Sequence, residues 1–235
     1  MAEEAAPDAA TAAACARCRK PSALCVCAAL APVETRHFTL ILQHPQERDE
    51  PLGTAWLAHL QLRPSRLVAG LSWPSLTAAL GRPASASRWG VFYLGAAAPE
   101  GPARAPLTAL GRRGAPLADQ AAALAALDGI ILLDGSWSEA KALWWRNPWL
   151  LKARRLVLAP PAPSLYGKLR REPRRDSLAT IEAAAFALAA LEGDPGLPAR
   201  ILAPFALLLD RYRATQPRRP APGASPGVAN RRRRH

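Results

Sequence analysis

The sequence predicts an α/β domain built on a mostly parallel sheet, and three observations carry that prediction. Short apolar runs recur along the chain, among them the uninterrupted Gly129-Ile-Ile-Leu-Leu133. Stretches of helical periodicity lie between or after these runs. Runs of the Gly129–Leu133 kind do not alternate with polar residues, which is the pattern of a strand covered by helices on both faces.

The expected strands, in order, are His37–Leu42, Arg66–Ala69, Gly90–Leu94, Gly129–Leu133 and Arg155–Leu158. The expected helices are Thr54–Leu60, Asp119–Leu127, Ser138–Arg146, Thr180–Glu192 and Ala199–Arg213. Residues 95–118 hold four prolines and several glycines and read as a long connection or insertion. Four stretches follow from this pattern: a disordered leader at 1–14, a cysteine segment at 15–35, the α/β domain at 36–213, and a disordered basic tail at 214–235. No internal repeat is visible.

With 235 residues, half of them hydrophobic and 21% charged, the chain can bury a substantial core. Lys and Arg number 31 against 18 Asp and Glu, a formal net charge of +13, which suggests a polyanionic partner such as nucleic acid. The leader carries Glu3, Glu4 and Asp8 without a basic start or a leucine-rich centre, so it does not read as a secretory signal. No apolar run approaches the roughly 18 to 20 residues of a membrane span. A cytoplasmic protein without a membrane partner is expected, and no pattern encodes its oligomeric state.

All four cysteines fall within thirteen residues, as Cys15-x-x-Cys18 and Cys25-x-Cys27. A C-x-x-C knuckle lets two thiolates grip one tetrahedral ion, and a second close pair can complete a structural zinc site. Arg19, Lys20 and Pro21 would form the turn and lower the thiol pKa values by proximity. Free or disulfide-linked cysteines in a loose leader are the alternative. A closed thiolate site leaves no position for substrate, so its role would be structural.

Ligands of open parallel sheets bind beyond the carboxyl ends of the strands. Three polar segments stand at such places: Gln43-His44-Pro45-Gln46-Glu47 leading to Gly53-Thr54, Asp134-Gly135-Ser136-Trp137, and the run from Pro160 through Tyr166 to Pro173. Asp134 can be a helix cap or a carboxylate at the working edge of the sheet. Trp137 can be core or a stacking surface for a base or an adenine ring. His44 reads as structural or merely exposed. Lys152–Arg175 carries eight basic residues and one acidic one, without the i,i+4 pairing of a solvated helix face, and points to anion contact. Its candidate RNA contacts are Lys152, Arg154, Arg155, Lys168, Arg171, Arg174 and Arg175. No Walker or dinucleotide glycine loop and no Ser-His-Asp spacing is present, which argues against NTP hydrolysis and nicotinamide chemistry.

Taken in order, Cys15-x-x-Cys18…Cys25-x-Cys27, Gln43-His44-Pro45-x-Glu47, Asp134-x-Ser136-Trp137 and Tyr166-x-x-Leu169-Arg170-x-x-Pro173…Ser177-x-x-Thr180-x-Glu182-Ala183 resemble the DTW-domain family. These are tRNA-uridine aminocarboxypropyltransferases. The resemblance runs from about residue 15 to 213. Ser136 stands where most members have Thr, and Gly53-Thr54 where relatives often have Asn-Thr.

The resemblance implies a SPOUT-like domain with a C-terminal trefoil knot and a small N-terminal zinc ribbon. It implies S-adenosylmethionine as donor and tRNA as acceptor, the aminocarboxypropyl group passing to N3 of a uridine with release of methylthioadenosine. A compact chain of bacterial type leans toward the variable loop of the tRNA over the D-loop. The cofactor residues implied are Thr54, Leu133, Asp134, Gly135, Ser136, Trp137, Leu169, Arg170, Pro173 and Thr180, with Asp134 the candidate general base. Ser136 and nearby backbone N–H groups would hold the cofactor carboxylate, and Arg170 that carboxylate or an RNA phosphate. Thr180 and Glu182 also read as polar residues of a helix start. A SPOUT-type RNA methyltransferase, or a non-catalytic zinc-ribbon RNA-binding protein, would share most of these features.

Overall fold

The structure, a computed structural model, describes residues 14–92, 105–111, 113–167, 169 and 178–216. Expectations placed on residues 1–13 and 217–235, and on Lys168, Arg170, Arg171, Pro173, Arg174 and Arg175, lie outside the described residues. The described strands are β1 (Val33–Gln43), β2 (Leu62–Ala69), β3 (Trp89–Phe92), β4 (Leu107–Leu110), β5 (Gly129–Asp134) and β6 (Arg154–Leu158). The α-helices are α1 (Ala55–Gln61), α2 (Leu76–Leu80), α3 (Gln120–Ala125), α4 (Trp137–Arg146), α5 (Thr180–Glu192) and α6 (Leu197–Thr215).

The strands form one sheet in the order β2-β1-β5-β3-β6-β4. All neighbours are parallel except β4, which runs antiparallel to β6 at one edge. The mostly parallel α/β sheet expected from the sequence is therefore present. Residues 95–118 were expected to be a long connection or an insertion, and among their described residues they contain β4, which a plain connection would not. Leu-Thr-Ala-Leu is a short edge strand bracketed by prolines and glycines, with no run long enough to announce it. Gln120 fixes it, its side-chain amide donating to Ala109 O (2.9 Å) and accepting from Ala109 N (2.7 Å).

Several boundaries differ for local reasons. β2 starts at Leu62, four residues earlier than expected, because Pro64 is tolerated on an edge strand where its missing N–H costs no ladder bond. The register with β1 shifts there, between Glu34 and Thr39. β1 begins at Val33, inside the segment assigned to the cysteines. α2 is five residues long, capped by Ser75 accepting from Ala78 N and closed by left-handed Gly81 (φ 68°), too short to carry a period. α6 runs to Thr215, two residues into the expected tail.

Both faces of the sheet are covered. On one, Ile41, Ile130 and Leu132 pack with Leu57, Ile181, Ala185, Leu188, Phe205 and Leu208 from α1, α5 and α6. On the other, Leu40, Leu42, Ile131 and Val91 pack with Leu76, Leu80, Trp149 and Leu150. Strand alternation makes this division, and it continues past the core. Gln43 shares a face with Ile41, and Asp134 shares one with Ile130 and Leu132, so both turn toward α5 at the carboxyl edge.

Candidate active site at the carboxyl edge of the sheet

Gln43 and Asp134 are register partners at the ends of β1 and β5. Both are buried. Asp134 Oδ2 accepts from Gln43 Nε2 (3.0 Å), and Oδ1 accepts from the Thr180 hydroxyl (2.5 Å) at the first turn of α5. Asp134 O accepts from His44 N (2.8 Å), which extends the ladder into the loop after β1. A carboxylate with donors on both oxygens is stabilised as the anion and held in one orientation. An ionised carboxylate is an acceptor only, and this one lines a cavity at the strand ends.

Asp134 is not the cap of the following helix. Ser136 holds the N-cap position of α4, and its N–H donates to Glu139 Oε2 (2.6 Å). Glu139 also lies 3.4 Å from His44 Nδ1, so one carboxylate ties the β1 loop to the start of α4. Of the two readings left for His44, structural or merely exposed, this contact is the structural one, and among the loop's N–H groups that of Ser136 is engaged by Glu139. Gly135 is required here by space: a Cβ would come within 2.8 Å of Glu139 Cβ.

Thr54 is buried before α1, and its hydroxyl accepts from Ile181 N (3.3 Å). A cavity of about 50 Å³ is lined by Glu47, Thr54, Asp134, Gly135, Tyr166, Leu178, Ala179 and Thr180. Four of the expected cofactor residues, Thr54, Asp134, Gly135 and Thr180, therefore meet around one cavity. Leu133 packs on the opposite face of β5, Ser136 and Trp137 stand outside the cavity at the start of α4, and Leu169 packs toward the α5–α6 core. Trp137 is exposed, with the Lys141 ammonium 4.3 Å from its ring centre, and so is not core.

Glu182 is 1% exposed and works as a clamp on the loop after β6: it accepts from Ser164 Oγ, Leu165 N and Ala179 N, each at 2.7 Å. Tyr166, held in that loop, donates its hydroxyl to Leu52 O (2.6 Å) and stacks edge-on against Phe205.

The basic residues divide. Lys152 precedes β6, and Arg154 pairs with Gly90, which in turn pairs with Ile130. Lys152, Arg154 and Arg155 thus stand toward the amino ends of the parallel strands, opposite the edge that holds Asp134. The sequence places them beside the loop after β6, but β6 itself spans the sheet between the two edges.

The four cysteine sulfurs lie within 4.8 Å of one another, with Cys15–Cys27 at 3.6 Å and Cys18–Cys25 at 3.8 Å. Tetrahedral thiolate bonds of about 2.3 Å to zinc require sulfurs about 3.8 Å apart, and the four free thiols fit that geometry. Backbone N–H groups of Cys18 and Arg17 hold the Cys15 thiol down at about 6, while burial and the neighbouring thiols push Cys27 up. Bound metal would hold all four as thiolates.

Lys20 is a residue that sequence reasoning missed. Expected to turn the knuckle and act on the thiols, it instead sends a buried side chain toward the loop before α1, donating to Gly53 O (2.6 Å) and Glu50 O (3.2 Å). Burial lowers its pKa to about 8, against the pull of Cys18, Asp134, Glu50 and Glu47. Gln43 stood in a noted motif, but only the β1–β5 register gives it a role.

A family model of the DTW domain matches residues 12–213. The chain belongs to the DTW-domain family. Its DTW domain is 30% identical over 198 residues to tRNA-uridine aminocarboxypropyltransferase 2 of Drosophila melanogaster, covering 81% of this chain and 71% of that protein. Proteins of the same name from Macaca fascicularis and Mus musculus are each 29% identical over 83% of the chain. The chain spans 61% of the length of each of those two mammalian relatives. No solved structure matches this chain. No helix among its described residues is long and apolar enough to cross a membrane.

Proposed function

We propose that this chain transfers the 3-amino-3-carboxypropyl group of S-adenosylmethionine to N3 of a tRNA uridine. The observation that carries the proposal is the Asp134 carboxylate, fixed by Gln43 and Thr180 at the strand ends of a DTW domain whose relatives are named tRNA-uridine aminocarboxypropyltransferases. In the transfer, N3 bonds to the γ-carbon of the donor, the carbon–sulfur bond breaks, and methylthioadenosine leaves. The sulfonium supplies the leaving group. The protein has to align N3 with one carbon of three and to take up the N3 proton.

Asp134 is the acceptor placed for that proton, or for the donor's ammonium group, since Gln43 and Thr180 orient its carboxylate where it lines the cavity. Thr54, Gly135 and Thr180 shape the space beside it, with Glu47 and Tyr166 closing the cavity. Ser136, Trp137, Leu169, Arg170 and Pro173 would extend the proposed donor site beyond that cavity, and Leu133, whose side chain packs on the other face of β5, would take part through its backbone. The chain's +13 charge supports a tRNA acceptor, with Lys152, Arg154, Arg155, Lys168, Arg171, Arg174 and Arg175 as phosphate contacts. The exposed faces of Trp137 and Trp145 on α4, with Lys141 between them, suit stacked bases and would lead RNA from one sheet edge to the other.

The same reading includes a SPOUT-like knotted C-terminal half and zinc as the ion of the cysteine cluster. It keeps 15–35 as the metal segment, with β1 entering at Val33, and 36–213 as the catalytic domain, in a cytoplasmic protein. The test is to incubate the protein with unmodified tRNA and S-adenosylmethionine and identify both products. Methylthioadenosine with aminocarboxypropyluridine supports the proposal; S-adenosylhomocysteine with a methylated nucleoside, or no turnover, overturns it.

A further inference from the structure

Between the cysteine cluster and the proposed donor site stands one buried ammonium, that of Lys20. Its backbone belongs to the knuckle: Lys20 O accepts from Cys15 N and Cys15 O accepts from Arg19 N, each at 2.8 Å. Arg19 takes a left-handed conformation (φ 58°) that turns the chain there. The Lys20 side chain belongs to the other site. Only 4% exposed, it donates to the carbonyls of Gly53 (2.6 Å) and Glu50 (3.2 Å), which themselves close a turn through Gly53 N to Glu50 O (2.9 Å).

That turn delivers Thr54. The Thr54 hydroxyl holds Ile181 N, next to Thr180, whose own hydroxyl holds Asp134. Tyr166 grips the same turn from the far side through Leu52 O. A second tie runs in parallel, from Trp56 Nε1 to Arg17 O (2.9 Å), with the Arg19 guanidinium 3.4 Å over the indole. Hydrogen bonds joined by short stretches of chain thus lead from the knuckle to the carboxylate.

We infer that Lys20 is a positioning residue through which the four-cysteine knuckle sets the turn at 50–53 and, with it, Thr54 in the donor site. The inference rests on the reading above for what the site binds. Its physical basis is the short leash: Lys20 is two residues from Cys18, so fixing the thiolates fixes the Cα from which the ammonium reaches. A buried ammonium whose described hydrogen bonds go to two carbonyls is costly to leave elsewhere, which makes the contact selective for that one turn. Metal bound at the thiolates is then part of the site's architecture without touching a substrate.

The experiment uses the full chain loaded with zinc, its Lys20→Met and Lys20→Arg variants, and wild type stripped by a competing chelator. Three readouts are taken: zinc per chain, hydrogen exchange of residues 47–58 against residues 140–150 on the other face of the sheet as control, and S-adenosylmethionine affinity by calorimetry. The inference expects Lys20→Met to keep its zinc yet exchange about tenfold faster over 47–58, with affinity weakened about tenfold. Lys20→Arg should recover much of both, and stripped wild type should behave like Lys20→Met. Unchanged exchange at 47–58 in zinc-loaded Lys20→Met, or in stripped wild type, overturns it. If Lys20→Met does not fold, stripped wild type alone decides. If zinc-loaded wild type binds no S-adenosylmethionine, the functional reading fails, while the exchange data still judge Lys20.

Discussion

Thr180, the first residue of α5, donates its hydroxyl to Oδ1 of Asp134, the last residue of β5. Two elements 46 residues apart in sequence meet at this bond. It exists because alternation along β5 puts Asp134 on the face that α5 covers, and because α5 starts at the carboxyl edge. The bond holds the carboxylate at one angle, and Gln43 holds its other oxygen.

Thr180→Val removes one donor while keeping shape. A hydrogen bond to a charged group contributes about 1.5–3 kcal/mol. Transfer activity should therefore fall roughly 10- to 150-fold in kcat/KM, with Thr180→Ser keeping most of it. Steady-state kinetics of the two variants check this, and equal losses in both would count against an orienting hydroxyl.

Glu182 is a stability residue. Glu182→Ala strands three donors, Ser164 Oγ, Leu165 N and Ala179 N, and opens the loop that carries Tyr166. The expected loss is about 2–4 kcal/mol, read as a lower urea midpoint at unchanged slope.

Glu192 fixes the end of α5 to β1, accepting from His37 N (3.0 Å) and facing His37 Nδ1 (2.7 Å). Burial pushes its pKa up, but the His37 hydrogen bonds and charge outweigh burial and hold it below 4.5. A depressed carboxylate contributes stability above its unfolded pKa and loses it as pH falls through the folded value. Wild type should thus lose stability on acidification below about pH 4.5, and Glu192→Gln should show a shallower loss in that window, measured by urea titration at a series of pH values.

Trp145 is 75% exposed on α4. If RNA bases stack along this helix, Trp145→Ala weakens tRNA binding by about 1–3 kcal/mol, roughly 5- to 150-fold, without altering the fold. Lys152→Ala should lower affinity more evenly and reduce the salt slope by about one. Binding titrations across salt concentrations separate the two effects.

Residues whose role is local were legible in the sequence, and those whose role is made by pairing were not. The apolar run at Ile130–Leu133 announced β5, and with it the edge where Asp134 stands. The cysteine spacing announced a thiol cluster. Gln43 and Thr180 needed the β1–β5 register and the placement of α5. Lys20 looked like part of a basic turn, because nothing in the order Arg-Lys-Pro says that its side chain crosses to Gly53. The run Lys152–Arg175 read as one surface, yet its first residues lie at one edge of the sheet. A five-residue strand spans roughly 16 Å, enough to separate its ends by the width of a site. β4 was hidden because its four residues lie between Pro106 and Gly111, too short a run to announce a strand.

The central claim is that aminocarboxypropyl transfer takes place at Asp134. The most direct test is nucleoside mass spectrometry of tRNA treated with wild type and with Asp134→Asn, the variant first shown to be folded by its urea transition. Wild type should yield aminocarboxypropyluridine, and Asp134→Asn should yield it at least about a hundredfold more slowly, since general-base contributions run to 10²–10⁴. Product formed by the variant at near wild-type rate, or none formed by wild type, would contradict the account.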